Sequence, residues 1–263
     1  MYNQRLTNQK MKPVKILFVA LMANFISSAA LAQTADEIIA KYFENTGGKA
    51  KWEALQGVKM TAKVSAQGME IPINIIQLKD GRQSTSYSFQ GMEFREGVYD
   101  GTNLWGTNQM TMKAEKRDAE ATENFKTTAS LDFPDPFLNY ASKGYKVELI
   151  GKETIEGSET FKIKLTKKPI KVDGKETESV SFYYFDTENF IPLVMETEVT
   201  SGPSKGVISQ IKMSDYQEIN GLTFPFSMTQ GAKGQPGGQT ITLTAIELNP
   251  KVEASLFAFP AGN

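Results

Sequence analysis

The chain has 263 residues, with 29 basic against 30 acidic side chains and neither cysteine nor histidine. That composition excludes disulfides, thiol nucleophiles, Ser-His-Asp triads and the usual zinc ligand sets. Carboxylates, Lys, Tyr and Ser remain as the only groups for acid-base work.

The stretch MKPVKILFVALMANFISSAALA, residues 11–32, predicts a secretory signal peptide. Lys12 and Lys15 precede an apolar run from Ile16 to Ile26, and Ala30-Leu31-Ala32 offers a small-x-small cleavage site before Gln33. The run is too short and interrupted for a spanning helix. Residues 1–10 are polar and precede a Met-Lys pair, so Met11 is an alternative start. The expected division is a leader over 1–32 and a single exported domain over 33–263. The leader holds four of the 29 basic side chains and no acid, which leaves 25 against 30, a net charge of −5. Such a balance lacks the basic footprint of a nucleic-acid partner.

Thr34-Ala35-Asp36-Glu37 reads as a capping box. Ile38, Ile39, Tyr42 and Phe43 follow at helical spacing, and Gly47-Gly48 ends the helix. A second short helix carries Trp52 and Leu55 on one side. From Val58 the period changes to two: Val58, Met60, Ala62, Val64 and Ala66 alternate with polar residues, as do Met69, Ile71, Ile73 and Ile75. Gln-Gly-Met-Glu occurs at 67–70 and again at 90–93, marking two hairpins of one meander. Pro72 suits an edge or a bulge. Residues 113–130 are charged and nearly empty of apolar side chains, predicting a solvated helix or mobile loop. LDFPDPFLNYASKG predicts a turn and a short helix from Pro136, ended by Gly144. Strands then return to the end of the chain, separated by DGKE, SGPSKG and AKGQPGGQ. The sum is an antiparallel sheet of about ten or more strands, with helices at the front and in one central insertion to cover its apolar face.

The candidate chemistry is thin. Asp100-Gly101 is foremost a hairpin signal. Asp132 and Asp135 bracket Phe133-Pro134 in a Pro-rich turn, a spacing that does not set two carboxylates across a bond. Tyr183, Tyr184 and Phe185 read as strand aromatics, and KKPIKVDGK as a solvated basic face. The methionines Met60, Met69, Met92, Met110 and Met112 are core by default, but methionine also suits an apolar surface that accepts varied partners.

The order of these features resembles the LolA family of periplasmic outer-membrane lipoprotein carriers, whose wider group includes the receptor LolB. Asp100, Gly101, Leu104 and Trp105 match its turn-then-tryptophan pattern. Pro136-Phe137 stands where its lid helices begin, and ASLFAFP resembles its closing strand. The likeness covers most of residues 34–260. The family's basic residue followed by proline has no full counterpart: LKDGRQS offers Lys79 and Arg82 without proline.

The resemblance implies a mainly β fold, a curved antiparallel sheet forming a half-open barrel with N-terminal and lid helices over its concave face. It implies a periplasmic carrier, not an enzyme, with no cofactor and no metal. The cargo would be lipid or lipoprotein acyl chains, moved for outer-membrane lipoprotein sorting or envelope lipid transport. Partners would be membrane-bound donor and acceptor proteins. Met69, Ile71, Ile73, Ile75, Met92, Phe94, Trp105, Met110, Met112, Phe133 and Phe137 are the expected cavity lining, and Arg82 the expected lid-interacting residue. Two other readings stay open: an exported carboxylate-based hydrolase, and a non-catalytic β scaffold that binds protein or polysaccharide.

Overall fold

The computed structural model describes residues 33–66 and 69–260. The expected signal peptide lies outside the described residues. Helix α1 spans Ala35–Asn45 and begins at a complete capping box. Glu37 N donates to Thr34 Oγ1 at 3.2 Å, and Thr34 N donates to Glu37 Oε2 at 2.8 Å. Ile38, Ile39, Tyr42 and Phe43 are buried along one stripe, and a large apolar side chain fully removed from water contributes roughly 1.5–3 kcal/mol. Helix α2, Lys49–Ala54, buries Trp52, whose ring meets Phe224 at 5.0 Å.

The strands are β1 Gly57–Ala66, β2 Met69–Leu78, β3 Gln83–Phe89, β4 Met92–Tyr99, β5 Leu104–Thr107 and β6 Ala114–Lys116. An insertion follows, with helix α3 Ala119–Thr127 and 3-10 turns at Ala129–Leu131 and Tyr140–Lys143. Then come β7 Lys146–Ile155, β8 Ser158–Thr166, β9 Ile170–Val172, β10 Lys175–Thr177, β11 Val180–Asp186, β12 Pro192–Glu198, β13 Ile208–Ile219, β14 Leu222–Ala232 and β15 Gln239–Leu248. Thirteen strands form one antiparallel sheet in the order β6-β5-β4-β3-β2-β1-β15-β14-β13-β12-β11-β8-β7. Its margins, β6 and β7, do not pair, so the sheet is not closed into a barrel. The strands β9 and β10 form a separate ribbon.

Register assigns the faces. Ala62 lies opposite Ile73 and Leu243, Ile73 opposite Tyr87, and Tyr87 opposite Phe94. Directly opposed residues share a face. We call this the inner face, because its core is continuous with the α1 side. There Ile38, Ile39, Tyr42, Phe43, Phe137, Leu138, Ile163, Leu165 and Phe185 form one cluster. Ala62, Phe226 and Leu243 form a second, and Met60, Phe224 and Ile246 pack against both. On the outer face Ile76, Leu78, Val98, Trp105 and Phe257 form a third.

The outer face also holds a buried polar centre. Tyr184 Oη donates to Glu196 Oε2 at 2.9 Å, Lys233 Nζ to the same oxygen at 2.9 Å, and Gln210 Nε2 to Oε1 at 2.8 Å. Burial pushes the Glu196 carboxyl up, but these three donors outweigh it and hold the carboxyl below its ordinary value.

Three local expectations are corrected. No α-helix starts at Pro136. The chain turns through Asn139 at φ 52° into the 3-10 turn, because Asp135 caps Phe137 N at 2.8 Å and Tyr42 grips the same carboxylate. ASLFAFP is not a strand: a 3-10 turn at Ala254–Leu256 lays Phe257 on Trp105. Pro72 sits in an interior strand, opposite Lys63 of β1, and is unpaired only on the β3 side, where the β2–β3 ladder ends at Ile73–Tyr87.

Candidate functional site

The described residues contain no group of three or more acidic side chains able to hold a metal ion. Asp100 is a turn residue. Its carboxylate accepts from Thr102 N at 2.8 Å, Asn103 N at 2.7 Å and Asn103 Nδ2 at 3.1 Å, while Gly101 takes φ 100°. Partial burial raises the Asp100 carboxyl, and the Asn103 and Thr102 donors more than reverse it, leaving it below its ordinary value.

Asp132 and Asp135 do not face each other across a cleft. They pin the insertion to the core. Tyr42 Oη donates to Asp135 Oδ2 at 2.8 Å, Lys143 Nζ to the Asp135 carbonyl at 2.9 Å, and Tyr145 Oη to Asp132 Oδ1 at 3.0 Å. Lys167 completes an ion pair with Asp132. Burial pushes the Asp135 carboxyl above its ordinary value, against the pull of these donors.

The expected cavity residues fall into three groups. Ile71, Ile73 and Ile75 alternate along β2 on the inner face, each only partly buried. Phe94 joins them through Tyr87, with the two rings stacked at 5.1 Å. The same parity puts Met69 and Met92 on that face at the ends of their hairpins, 44% and 43% exposed. Phe137 is buried beside α1, its ring 4.7 Å from Tyr183 and 5.4 Å from Phe185, and Phe133 packs on the same cluster. The structure links these first two groups through Met60, Phe224 and Ile246.

Trp105, Met110 and Met112 form the third group and are not brought to the inner face. Trp105 pairs with Val98 on the outer face, and its Nε1 donates to the Phe257 carbonyl at 2.9 Å. A shift in the β3–β4 register around Gly97, at φ 55°, changes the parity of β4 between Phe94 and Val98. Alternation alone could not show that. Met112 lines an outer cleft of about 580 Å³ with Trp105 and Phe259. Met110 stands 91% exposed on the β5–β6 turn. Arg82 pairs with Asp80 at 2.8 Å and lies 5.2 Å from the Phe257 ring, so the residue expected at the lid is engaged with the C-terminal segment.

Sequence reasoning missed the inner-face residues of the second half. Tyr183 opposes Met195, and Met213 opposes Met228, which packs with Ala62 and Leu243. With Met60, Met69 and Met92, the inner face carries six methionines. The alternation of the strands that carry them was visible in the sequence, but not which side chains of distant strands share a face.

No protein-family model matches the sequence, and no curated protein matches it. Solved structures do. A LolA superfamily protein from Nitrosomonas europaea superposes with a TM-score of 0.52 at 14% identity, over 86% of this chain and 98% of that one. A domain from Vibrio parahaemolyticus named for outer-membrane lipoprotein sorting superposes with a TM-score of 0.50 at 11% identity, over 84% of this chain and 94% of that one. The chain has a LolA-like fold. Among the described residues no helix is long and apolar enough to cross a membrane.

Proposed function

We propose that the chain is an exported, periplasmic carrier that holds acyl chains of a lipid or lipoprotein against the inner face of its sheet. One observation carries this reading. The inner face continues from the sealed core around α1 into a strip of Ile71, Ile73, Ile75, Met69 and Met92 that is left partly or largely exposed. A strip of methionine and isoleucine adapts to flexible chains, and each CH₂ buried there contributes about 0.8 kcal/mol. The carrier needs no covalent chemistry, and the carboxylates described above are occupied in structural roles. The LolA-like fold supports the same reading by analogy of architecture.

Mass spectrometry of an organic extract of the purified protein is expected to show co-purified lipid. Binding of an anthroyloxy-labelled stearate is expected to be saturable. Ile73→Glu should weaken it at least tenfold while the protein stays folded, because a charge set in the strip disfavours an acyl chain. Lys205→Glu, on an exposed loop, should leave it unchanged. A folded Ile73→Glu variant that binds like the parent removes this face from the reading, and a parent that neither carries nor binds lipid removes the reading altogether.

A further inference from the structure

The inner face changes character along the sheet. Two of its rows are followed here by register. In one, Ala62 opposes Ile73, Ile73 opposes Tyr87, and Tyr87 opposes Phe94, so the row stays apolar or aromatic. In the next, Met60 opposes Ile75, Ile75 opposes Thr85, and Thr85 opposes Glu96. Neighbouring strands lie about 4.8 Å apart, so the Glu96 backbone stands roughly 10 Å from that of Ile75. A carboxylate therefore borders the isoleucine strip on the same face.

Tyr87 marks the boundary. Its ring stacks on Phe94 at 5.1 Å, and its hydroxyl donates to Glu96 Oε1 at 3.3 Å. Gln109, from the β5–β6 turn, donates from Nε2 to the Tyr87 hydroxyl at 3.2 Å and to Glu96 Oε1 at 3.4 Å. These donors are neutral and the contacts are exposed, so the carboxylate keeps its charge.

A cation stands beside it. Gly106 of β5 carries no side chain, and a Cβ there would lie 3.7 Å from the Glu96 Cα and 3.3 Å from Arg117 Nη2. The Arg117 guanidinium thus lies over Gly106, next to Glu96. Arg117 N donates to the Leu104 carbonyl at 2.8 Å, which fixes its backbone just past β6. Glu115, opposite Gly106, accepts from Asn108 Nδ2 at 2.8 Å and from Thr111 Oγ1 at 3.1 Å. Glu96, Glu115 and Arg117 are all exposed.

An amphipathic molecule lying across β2 to β5 meets apolar side chains at one end and a carboxylate beside a guanidinium at the other. An anionic head would face two carboxylates for one cation. A zwitterionic head, with an ammonium close to a phosphate, answers both signs at once.

We propose that Glu96, with Tyr87 and Arg117, forms a head-group subsite beside the acyl strip, and that it selects lipids whose head carries a primary ammonium next to a phosphodiester. Glu96 receives the ammonium. Arg117 receives the phosphate oxygens, which its planar fork matches. The subsite rests on the carrier reading and adds a head-group preference to it.

Palmitoyl lysophosphatidylethanolamine, palmitoyl lysophosphatidylglycerol and monopalmitin carry one chain on three heads. Each is titrated, below its micelle concentration, against the complex with anthroyloxy-labelled stearate. The parent should bind the ethanolamine lipid about three- to fivefold more tightly than the glycerol lipid, which is what an exposed ion pair contributes. The margin should shrink as added salt screens it. Folded Glu96→Gln should lose the margin and leave monopalmitin unchanged. Arg117→Gln should weaken both phospholipids together relative to monopalmitin. Glu93→Gln, on the outer face of the same strand and paired with Arg95, should keep the margin. A parent that binds monopalmitin but does not separate the two phospholipids overturns the subsite. So does a folded Glu96→Gln variant that still separates them, and unchanged phospholipid binding in Arg117→Gln overturns the role of Arg117. A parent that binds neither stearate nor any of the three lipids removes the carrier reading, and the subsite with it.

Discussion

The indole Nε1 of Trp105 donates to the main-chain carbonyl of Phe257, 152 positions further along the chain, at 2.9 Å. The bond staples the C-terminal segment across the outer face of β5, with Phe259 edge-on to the same indole at 5.7 Å. Trp105 is thereby a structural residue on the face opposite the isoleucine strip. Phe257→Ala should destabilise the protein by about 3–5 kcal/mol, the range for deleting a buried aromatic ring. Urea denaturation would measure that loss. Stearate affinity of the folded fraction should not change, and a large fall in affinity would instead tie the outer face to binding.

The anchor of the insertion is equally specific. Tyr42→Phe leaves Asp135 Oδ2 without its donor from α1, and an orphaned acceptor of this kind costs about 1–3 kcal/mol. The same site has a pH signature. Burial raises the Asp135 carboxyl above its unfolded value. Between those two values the folded state holds a proton that the unfolded state releases, so this residue's contribution to stability rises as pH falls through the interval. Asp135→Asn should abolish that rise, which paired denaturation curves at neutral and mildly acid pH would show.

Glu196 predicts the opposite slope. Its donors hold the carboxyl below the ordinary value of 4.5 despite burial. The stabilisation is complete above that value and is lost as pH falls through the folded-state value. Glu196→Gln should lose stability at neutral pH and show a shallower acid limb than the parent, measured as denaturation midpoints along the titration.

Gly47 marks where α1 meets the β13–β14 turn. A side chain there would place Cβ 2.0 Å from the Gly221 carbonyl oxygen, and the residue takes φ 117°. Strained backbone alone costs about 1–3 kcal/mol, so Gly47→Ala should destabilise by at least that much. Melting temperature would report it, while the far-ultraviolet spectrum of the folded protein keeps its β character.

The sequence by itself determined the elements whose causes are local. The Thr34–Glu37 capping box, the stripe Ile38-Ile39-Tyr42-Phe43, the alternation from Val58 to Ile75 and the Asp100-Gly101 turn each depend on neighbours within a few residues, and each forms as read. The mainly β, half-open sheet was legible for the same reason, since alternating strands outnumbered helical stretches. Tertiary structure decided what depends on partners far along the chain. Whether Trp105 faces inward hangs on a one-residue register shift near Gly97, which reverses every side chain beyond it. Whether ASLFAFP forms a strand hangs on Trp105 being there to receive Phe257. Residues 119–127 and the segment KKPIKVDGK each read as solvated charge. Only when the sheet's margins approach do Glu120 and Asn124 find the backbone of Lys171, Asp173 and Gly174. A polar side chain's periodicity carries no record of a backbone partner some fifty residues away, because hydrogen bonding, unlike burial, leaves no repeating pattern in the residues that make it.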